Sequence, residues 1–155
     1  MLATPLALNA QYVNESSKME NQRASFNSRP AWRLYAEASM FGAASYFLTD
    51  ISGFIAFHKS PYFHFAFGVG MVGEELFDVE GISCTVRSRS YLNENNFSPF
   101  LDVDAGICSV SLPNRGFLNI GPGLSWNIGG SELYICAFYR YTQEHGGGFR
   151  AGLAF

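Results

Sequence analysis

Charge is scarce in this sequence. Asp, Glu, Lys and Arg make up 15% of its 155 residues, against roughly 25% in an ordinary soluble domain. The net charge is −3 and the basic residues are not clustered, which excludes the positive face a nucleic-acid binder needs. Cysteine is scarce as well. Cys84, Cys108 and Cys136 are odd in number, far apart and without a CxxC pair, so neither a disulfide framework nor a cysteine metal site is indicated. Long apolar runs are missing. The longest stretches without a charge, Pro61 to Gly73 and Gly116 to Ser131, fall short of the about 18 residues of a membrane-spanning helix and are broken by Gly, Pro or Asn. No internal repeat with a period of about 20 to 50 residues is visible.

Rings and glycine are abundant instead. Aromatic residues make up 16% of the chain, with 15 Phe and 16 Gly. This composition suits a chain with a lipid-facing surface better than a soluble domain, and the length allows one domain or one small closed barrel. The first ten residues, MLATPLALNA, are apolar and end at Ala10. They read either as the tail of a secretory signal cleaved after Ala10 or as an ordinary apolar N-terminus, since no basic start precedes them. The following stretch to residue 30 is polar and aperiodic, so residues 1–30 are expected to form a flexible leader and residues 31–155 the folded domain. Asn14-Glu15-Ser16 matches a glycosylation acceptor, a pattern too short to carry weight.

From Ala31 onward the hydrophobic pattern has period two, the signature of strands whose successive side chains point to opposite faces. Between residues 118 and 128, Leu118, Ile120, Leu124, Trp126 and Ile128 share one face, and Asn119, Gly121, Gly123, Ser125 and Asn127 the other. Eight segments follow, at about 31–43, 46–58, 62–73, 81–91, 98–110, 116–128, 132–142 and 147–155. Their separators are turn-like: Lys59-Ser60-Pro61, Asn93 to Asn96, Leu112 to Gly116, Gly129-Gly130-Ser131 and Gly146-Gly147-Gly148. An alternative for the start is one long strand over 31–48 with a turn at Thr49-Asp50. Segments of this length match the roughly 9 to 11 residues of a tilted membrane-crossing strand. The expected fold is all-β, an eight-stranded antiparallel up-and-down transmembrane β-barrel.

A membrane barrel inverts the soluble pattern, with apolar groups outside and polar groups inside. Three features point to inversion. First, sparse charges lie mid-strand on the non-apolar face: Arg33 and Glu37 in the first segment, Arg87 and Arg89 in the fourth, Asp102 and Asp104 in the fifth, and Arg140 and Arg150 in the last two. Antiparallel neighbours set the Arg87/Arg89 pair beside the Asp102/Asp104 pair, and closure sets Arg150 near Glu37. These eight residues are the expected lumen charge network; the alternative is solvated surface charge. Second, that face carries Gly68, Gly70, Gly106, Gly121, Gly123 and Gly152, small residues that relieve crowding in a narrow barrel. Third, Phe149, Ala151, Leu153 and Phe155 alternate to the last residue.

The aromatic and glycine strands Tyr62–Gly70 (YFHFAFGVG), Pro99–Ile107 (PFLDVDAGI) and Gly148–Phe155 (GFRAGLAF) resemble those of the small bacterial outer-membrane barrels of the OmpA and OmpX type. The resemblance spans roughly residues 31 to 155. It implies location in the bacterial outer membrane, contact with its lipids and lipopolysaccharide, a monomer without cofactor, and recognition of Phe149, Leu153 and Phe155 by the barrel-assembly machinery. Three cysteines and short external loops depart from the group; the short loops argue against an adhesive role.

Chemistry-bearing residues are few. His58 and Ser60 form an H-x-S pair similar to that of the lipid A deacylase barrels, and Glu74 or Glu75 could orient the histidine. With Phe155 at the periplasmic side, His58 and Ser60 fall at the periplasmic end, the wrong end for surface lipopolysaccharide. His64 is expected in the lumen between Tyr62 and Ala66, and His145 with Glu144 in an external loop without a third metal ligand. Parity places Cys108 and Cys136 inward and Cys84 outward; a Cys108–Cys136 bridge would join non-adjacent strands. The main expectation is a structural or interaction barrel with a plugged polar lumen. The alternatives are a lipid-modifying outer-membrane enzyme, and a soluble lipocalin-type barrel with its aromatic face inward and Arg87, Arg89, Asp102 and Asp104 in water.

Overall fold

The computed structural model describes residues 32–43, 47–73, 80–110, 115–142 and 145–155. The leader expected over residues 1–30 lies outside them. Eight strands are present among the described residues: β1 (Trp32–Ala43), β2 (Phe47–Ser60), β3 (Phe63–Gly73), β4 (Gly81–Tyr91), β5 (Phe97–Val110), β6 (Arg115–Ile128), β7 (Ser131–Tyr141) and β8 (Gly146–Ala154). Each pairs antiparallel with its sequence neighbour, and β1 pairs with β8 from Tyr35↔Ala154 to Ala43↔Gly146, which closes an up-and-down barrel. Closure leaves no unpaired edge, a requirement wherever no water can satisfy the backbone. An even strand number puts the start of β1 and the end of β8 at one end, called here the near end.

The near-end connections are short. Gly129 and Gly130 adopt φ of 59° and 95°, the positive pair that a two-residue hairpin with the native twist demands and that only glycine adopts cheaply. The β2–β3 turn is Pro61-Tyr62, and a register shift falls between His58 and Ser60, so β2 runs through the expected separator Lys59-Ser60. Tyr62 is therefore exposed in the turn and not in the lumen. Its hydroxyl hydrogen-bonds Glu94 of the β4–β5 turn, which raises the phenol pKa above its ordinary value.

Two other expectations change. Thr49 and Asp50 lie inside β2, paired with Met40 and Ser39 of β1, so the long first strand with a turn at those residues is wrong. Gly146, Gly147 and Gly148 belong to β8 and pair with β1 and β7. They are not a loop, and two of them leave no room for a side chain: a Cβ on Gly146 would lie 2.1 Å from the Gly42 carbonyl oxygen, and one on Gly148 2.4 Å from the Met40 carbonyl oxygen and 2.4 Å from the Phe138 ring.

The alternation decides inside from outside. In β7 the odd residues Leu133, Ile135, Tyr139 and Tyr141 are exposed, while Glu132, Tyr134, Cys136, Phe138 and Arg140 are buried. The outer wall is mostly apolar, from Trp32 and Leu34 in β1 to Phe149 and Leu153 in β8, with Lys59, Ser90 and Ser109 exposed toward the strand ends. Indoles and phenols sit toward its ends, with Trp32 on Phe57 and Trp126 on Phe97 at the near end, and Tyr139, Tyr141 and His145 together at the far end. Such rings at both rims suit the two interfaces of a bilayer. Strand lengths of 9 to 14 residues reach across a hydrocarbon layer of roughly 25–30 Å at the usual tilt.

Inside, aromatic residues face glycines across the ladder. Phe54↔Gly68, Phe100↔Gly123, Phe117↔Gly106, Tyr134↔Gly152 and Phe138↔Gly148 are all direct cross-strand partners. In each pair the ring lies where the glycine's Cβ would be, at 2.1 to 2.5 Å from it. The aromatic face was thus only half anticipated: rings line the lumen too, and glycine opposite each one makes room. Gly68→Leu is expected to destabilise the barrel by about 1–3 kcal/mol through overpacking, read as a lower urea midpoint; an unchanged midpoint would show that the Phe54 ring moves freely.

Pro122 interrupts the β6–β7 ladder, since it has no N–H to donate. The strands stay in register, Ile120↔Tyr139 and Gly123↔Cys136 flanking the gap. Gly121 packs against the Ala137 and Phe138 backbone there, and the Cys136 thiol donates to the Gly121 carbonyl at 3.7 Å.

Candidate functional site

The lumen holds a continuous network of ion pairs. β4 and β5 start it, because their register sets Arg87 opposite Asp104 and Arg89 opposite Asp102. Arg87 donates from both terminal nitrogens to Glu37 of β1 at 2.7 and 2.8 Å, and from Nε to Asp104 Oδ1 at 2.9 Å. Arg89 donates from Nε and Nη2 to both oxygens of Asp102 at 2.7 and 2.9 Å, and its Nη1 reaches Glu132 Oε1 at 3.4 Å. Arg33 pairs with Glu132 Oε2 at 3.3 Å and donates to the Gly130 carbonyl at 3.0 Å. Arg150 pairs with Asp104 and lies 3.8 Å from Glu37. Arg140 donates to Asn119 Oδ1 at 2.8 Å, and Asn119 donates in turn to Asp104 at 3.2 Å.

Phenols and rings complete it. Tyr134 donates to Glu37 at 2.6 Å and Tyr91 to Glu132 at 2.6 Å. The Arg89 guanidinium lies between Phe100 and Tyr134, 3.9 and 4.0 Å from their centroids. Arg87 lies over Phe54, Arg140 over Phe117 and Arg150 over Phe138. Cation–π contacts of this kind gain strength where water is excluded. At the far end Asp50 accepts from Ser52, and from Ser83 at 2.7 Å.

Among the described side chains the inward charges are five of each sign. Arg33, Arg87, Arg89, Arg140 and Arg150 face Glu37, Asp50, Asp102, Asp104 and Glu132, and Arg89 and Asp102 are both 0% exposed. Taking such charges out of water is costly, and only close pairing with further hydrogen bonds offsets that cost. A cavity among Glu37, Asp50, Arg87, Asn119, Arg140 and Arg150 measures about 10 Å³, on the order of one water.

All eight charged residues singled out in the sequence face this lumen. Period two could not reveal that Arg87 takes Glu37 and Asp104 while Arg89 takes Asp102. Glu132 and Asp50 were missed. Glu132 shares parity with Tyr134 and Arg140, the signal that could have found it; Asp50 was hidden by its turn-like neighbourhood. The soluble lipocalin-type alternative required Arg87, Arg89, Asp102 and Asp104 in water. That expectation fails, since all four are buried and the outer wall is apolar.

Of the hydrolytic candidates, His58 and Ser60 lie among the described residues at the near end of β2. His58 Nε2 lies 3.3 Å from Tyr35 Oη, and the His58 ring stands edge-on to His64. Glu74 lies outside the described residues. Phe149 and Phe155 are exposed on the outer wall with Leu153, and the Phe155 N–H donates to the Leu34 carbonyl at 2.9 Å. Cys84 is exposed, Cys108 half-buried and Cys136 buried, all as free thiols.

A closed eight-stranded barrel with arginine–carboxylate pairs within and an apolar wall without is the architecture of the small outer-membrane barrels, and this chain has that fold. The N-terminal β-barrel domain of Pseudomonas aeruginosa OprF matches it with a TM-score of 0.64 at 13% identity, over 82% of this chain and 98% of that one. Neisserial surface protein A (NspA) matches with a TM-score of 0.59 at 12% identity, over 79% and 94% of the two chains. A de novo designed transmembrane β-barrel matches with a TM-score of 0.54 at 12% identity, over 83% and 97%. No family model and no curated protein sequence matches this chain.

Proposed function

We propose that this chain is an integral β-barrel of a bacterial outer membrane, with a structural or interaction role and a lumen closed to solutes. One observation carries the reading: the outer wall is mostly apolar along every strand while the charged side chains of the strands pair inside. A soluble protein does not expose an apolar surface of this extent. The fold shared with OprF's barrel domain and NspA supports the same location. Outer-membrane lipids and lipopolysaccharide are then the surroundings of the wall, and Phe149, Leu153 and Phe155 the strand that the assembly machinery engages.

Expression in a Gram-negative host, behind a secretory signal, tests this. The expected result is recovery in the outer-membrane fraction with heat-modifiable gel migration, and a several-fold lower folded yield for Phe155→Ser. Recovery as a soluble protein without detergent would overturn the proposal. A conductance test addresses the lumen: the purified barrel in a planar bilayer is expected to show no sustained channel, and stable open steps would contradict closure.

A further inference from the structure

The tip of the β2–β3 hairpin stands at the near end of the barrel, and its register sets basic groups in a row. His58 of β2 pairs directly with His64 of β3, and His64 pairs in turn with Arg89 of β4. The two imidazole rings stand edge-on with centroids 4.8 Å apart. His64 is 1% exposed, and the rings of Tyr35 from β1 and Tyr91 from β4 close around it, with centroids 5.4 and 5.7 Å away. Arg33 and Arg87 also lie within electrostatic reach. The β1–β2 ladder begins at Trp32↔Phe57, so beyond Phe57 the tip is tied into the sheet through β3 and β4.

A neutral imidazole satisfies these contacts. Tyr91 donates its only hydrogen to Glu132 at 2.6 Å, which leaves its oxygen to accept, and His64 donates to it from Nδ1 at 3.5 Å. Tyr35 Oη lies 3.4 Å from the same nitrogen and 3.3 Å from His58 Nε2. A second proton on His64 has no counter-charge to meet. The charges around it already cancel, Arg33 and Arg89 against Glu132 and Asp102, and Glu132 is shared among Arg33, Arg89 and Tyr91. Arg87 is taken up by Glu37 and Asp104, and Tyr134 of β7 donates to Glu37. Among the described residues no carboxylate pairs with His64, whereas Arg89 is its direct cross-strand partner. Like charges directly opposite each other destabilise a ladder, and burial raises that cost.

We propose that this hairpin tip is an acid-released latch on the near mouth of the lumen, docked while His64 is neutral and let go when His64 takes up a proton. Letting go separates Phe63 and His64 from Ser90 and Arg89 and breaks the hydrogen bond from the Tyr91 N–H to the Tyr62 carbonyl at 2.8 Å. The ion pairs of Arg87, Arg89 and Arg150 deeper in the lumen are made by other strands and stay. In water a freed imidazole takes up its proton near about pH 6.5. Docking is therefore fully favoured above that value, and each pH unit below it favours the released tip about tenfold, because one proton is bound on release. Carboxylates take up protons mainly below about pH 5, so the window from about pH 6.5 to 5.5 belongs to histidine. Release would open Arg89 and Glu132, both buried in the docked state, to solvent at the near end. The latch depends on the register and packing of this tip and holds whether or not the lumen passes solutes.

Amide hydrogen exchange of the refolded full-length barrel in detergent micelles, read by nuclear magnetic resonance, tests the latch. Protection of the Tyr91 amide, corrected for the intrinsic effect of pH on exchange, is expected to fall about tenfold from pH 6.5 to 5.5. The amides of Val103 to Ala105, in the middle of β5, should keep theirs. His64→Gln, which stays neutral, should hold Tyr91 protection constant over this range, and His145→Gln should leave the fall unchanged. If His64→Gln does not give the heat-modifiable folded form, the imidazole signals of the unaltered barrel serve instead, with His64 expected to protonate only as Tyr91 loses protection. Protection of Tyr91 that does not change with pH, a fall that persists in His64→Gln, an equal fall at Val103 to Ala105, or a His64 that protonates while Tyr91 stays protected overturns the proposal.

Discussion

Replacing Arg89 by methionine is expected to destabilise the folded barrel by about 3–5 kcal/mol, the cost of leaving a buried charge without its partner. Methionine keeps much of the contact with Phe100 and Tyr134, so the loss is mainly electrostatic. Asp102, 0% exposed, would keep only Arg87 at 3.8 Å. Glu132 would keep Arg33 and the Tyr91 hydroxyl, and for that reason the loss falls mostly on Asp102. The double variant Arg89→Met/Asp102→Leu removes both charges and should be much closer to wild type than the two single losses added together. Urea unfolding in lipid vesicles, followed by the fluorescence of Trp32 and Trp126, measures all three. A double variant equal to the sum of the single ones would mean that the pair does not interact.

The second large effect concerns the outer wall. Val69 sits at the middle of β3, 64% exposed, between Gly53 and Cys84 on the neighbouring strands. At such a position in a bilayer, Val69→Arg should cost about 2–4 kcal/mol, the penalty for a charge on the lipid face near the midplane. On a soluble barrel the same exposed substitution would change stability by no more than about 0.5 kcal/mol. Unfolding in vesicles separates these outcomes, and the penalty should shrink for an arginine placed at Trp126 near the rim, because depth sets it.

Strand positions were largely legible, because period two extends over most of each strand and Gly129-Gly130 ends β6 unambiguously. The misreadings share a cause. Gly146 to Gly148 and Thr49-Asp50 have turn-like composition but pair as strand, since a narrow barrel needs small residues wherever a ring or a neighbouring backbone comes close. Gly148 receives the Phe138 ring, and its place in β8 depends on a strand ten residues away. Sequence parity assigned the lumen face of Arg33, Arg87 and Arg150 but could not choose their partners. Arg33 and Glu132 are 99 residues apart in sequence and meet only when the barrel closes. The His58–His64 pairing was equally hidden, because it follows from the β2–β3 register and not from the H-x-S spacing.

Cys84 offers a direct probe of the inversion, lipid outside and paired charge inside. It is exposed on β4 between Val69 and Ile107. With Cys108→Ala and Cys136→Ala removing the inward thiols, a small fluorophore on Cys84 of the refolded barrel can be placed in vesicles of ordinary or bromine-labelled phospholipid. Strong quenching by the brominated acyl chains and almost none by aqueous iodide is expected. Quenching by iodide with no response to brominated lipid would contradict it.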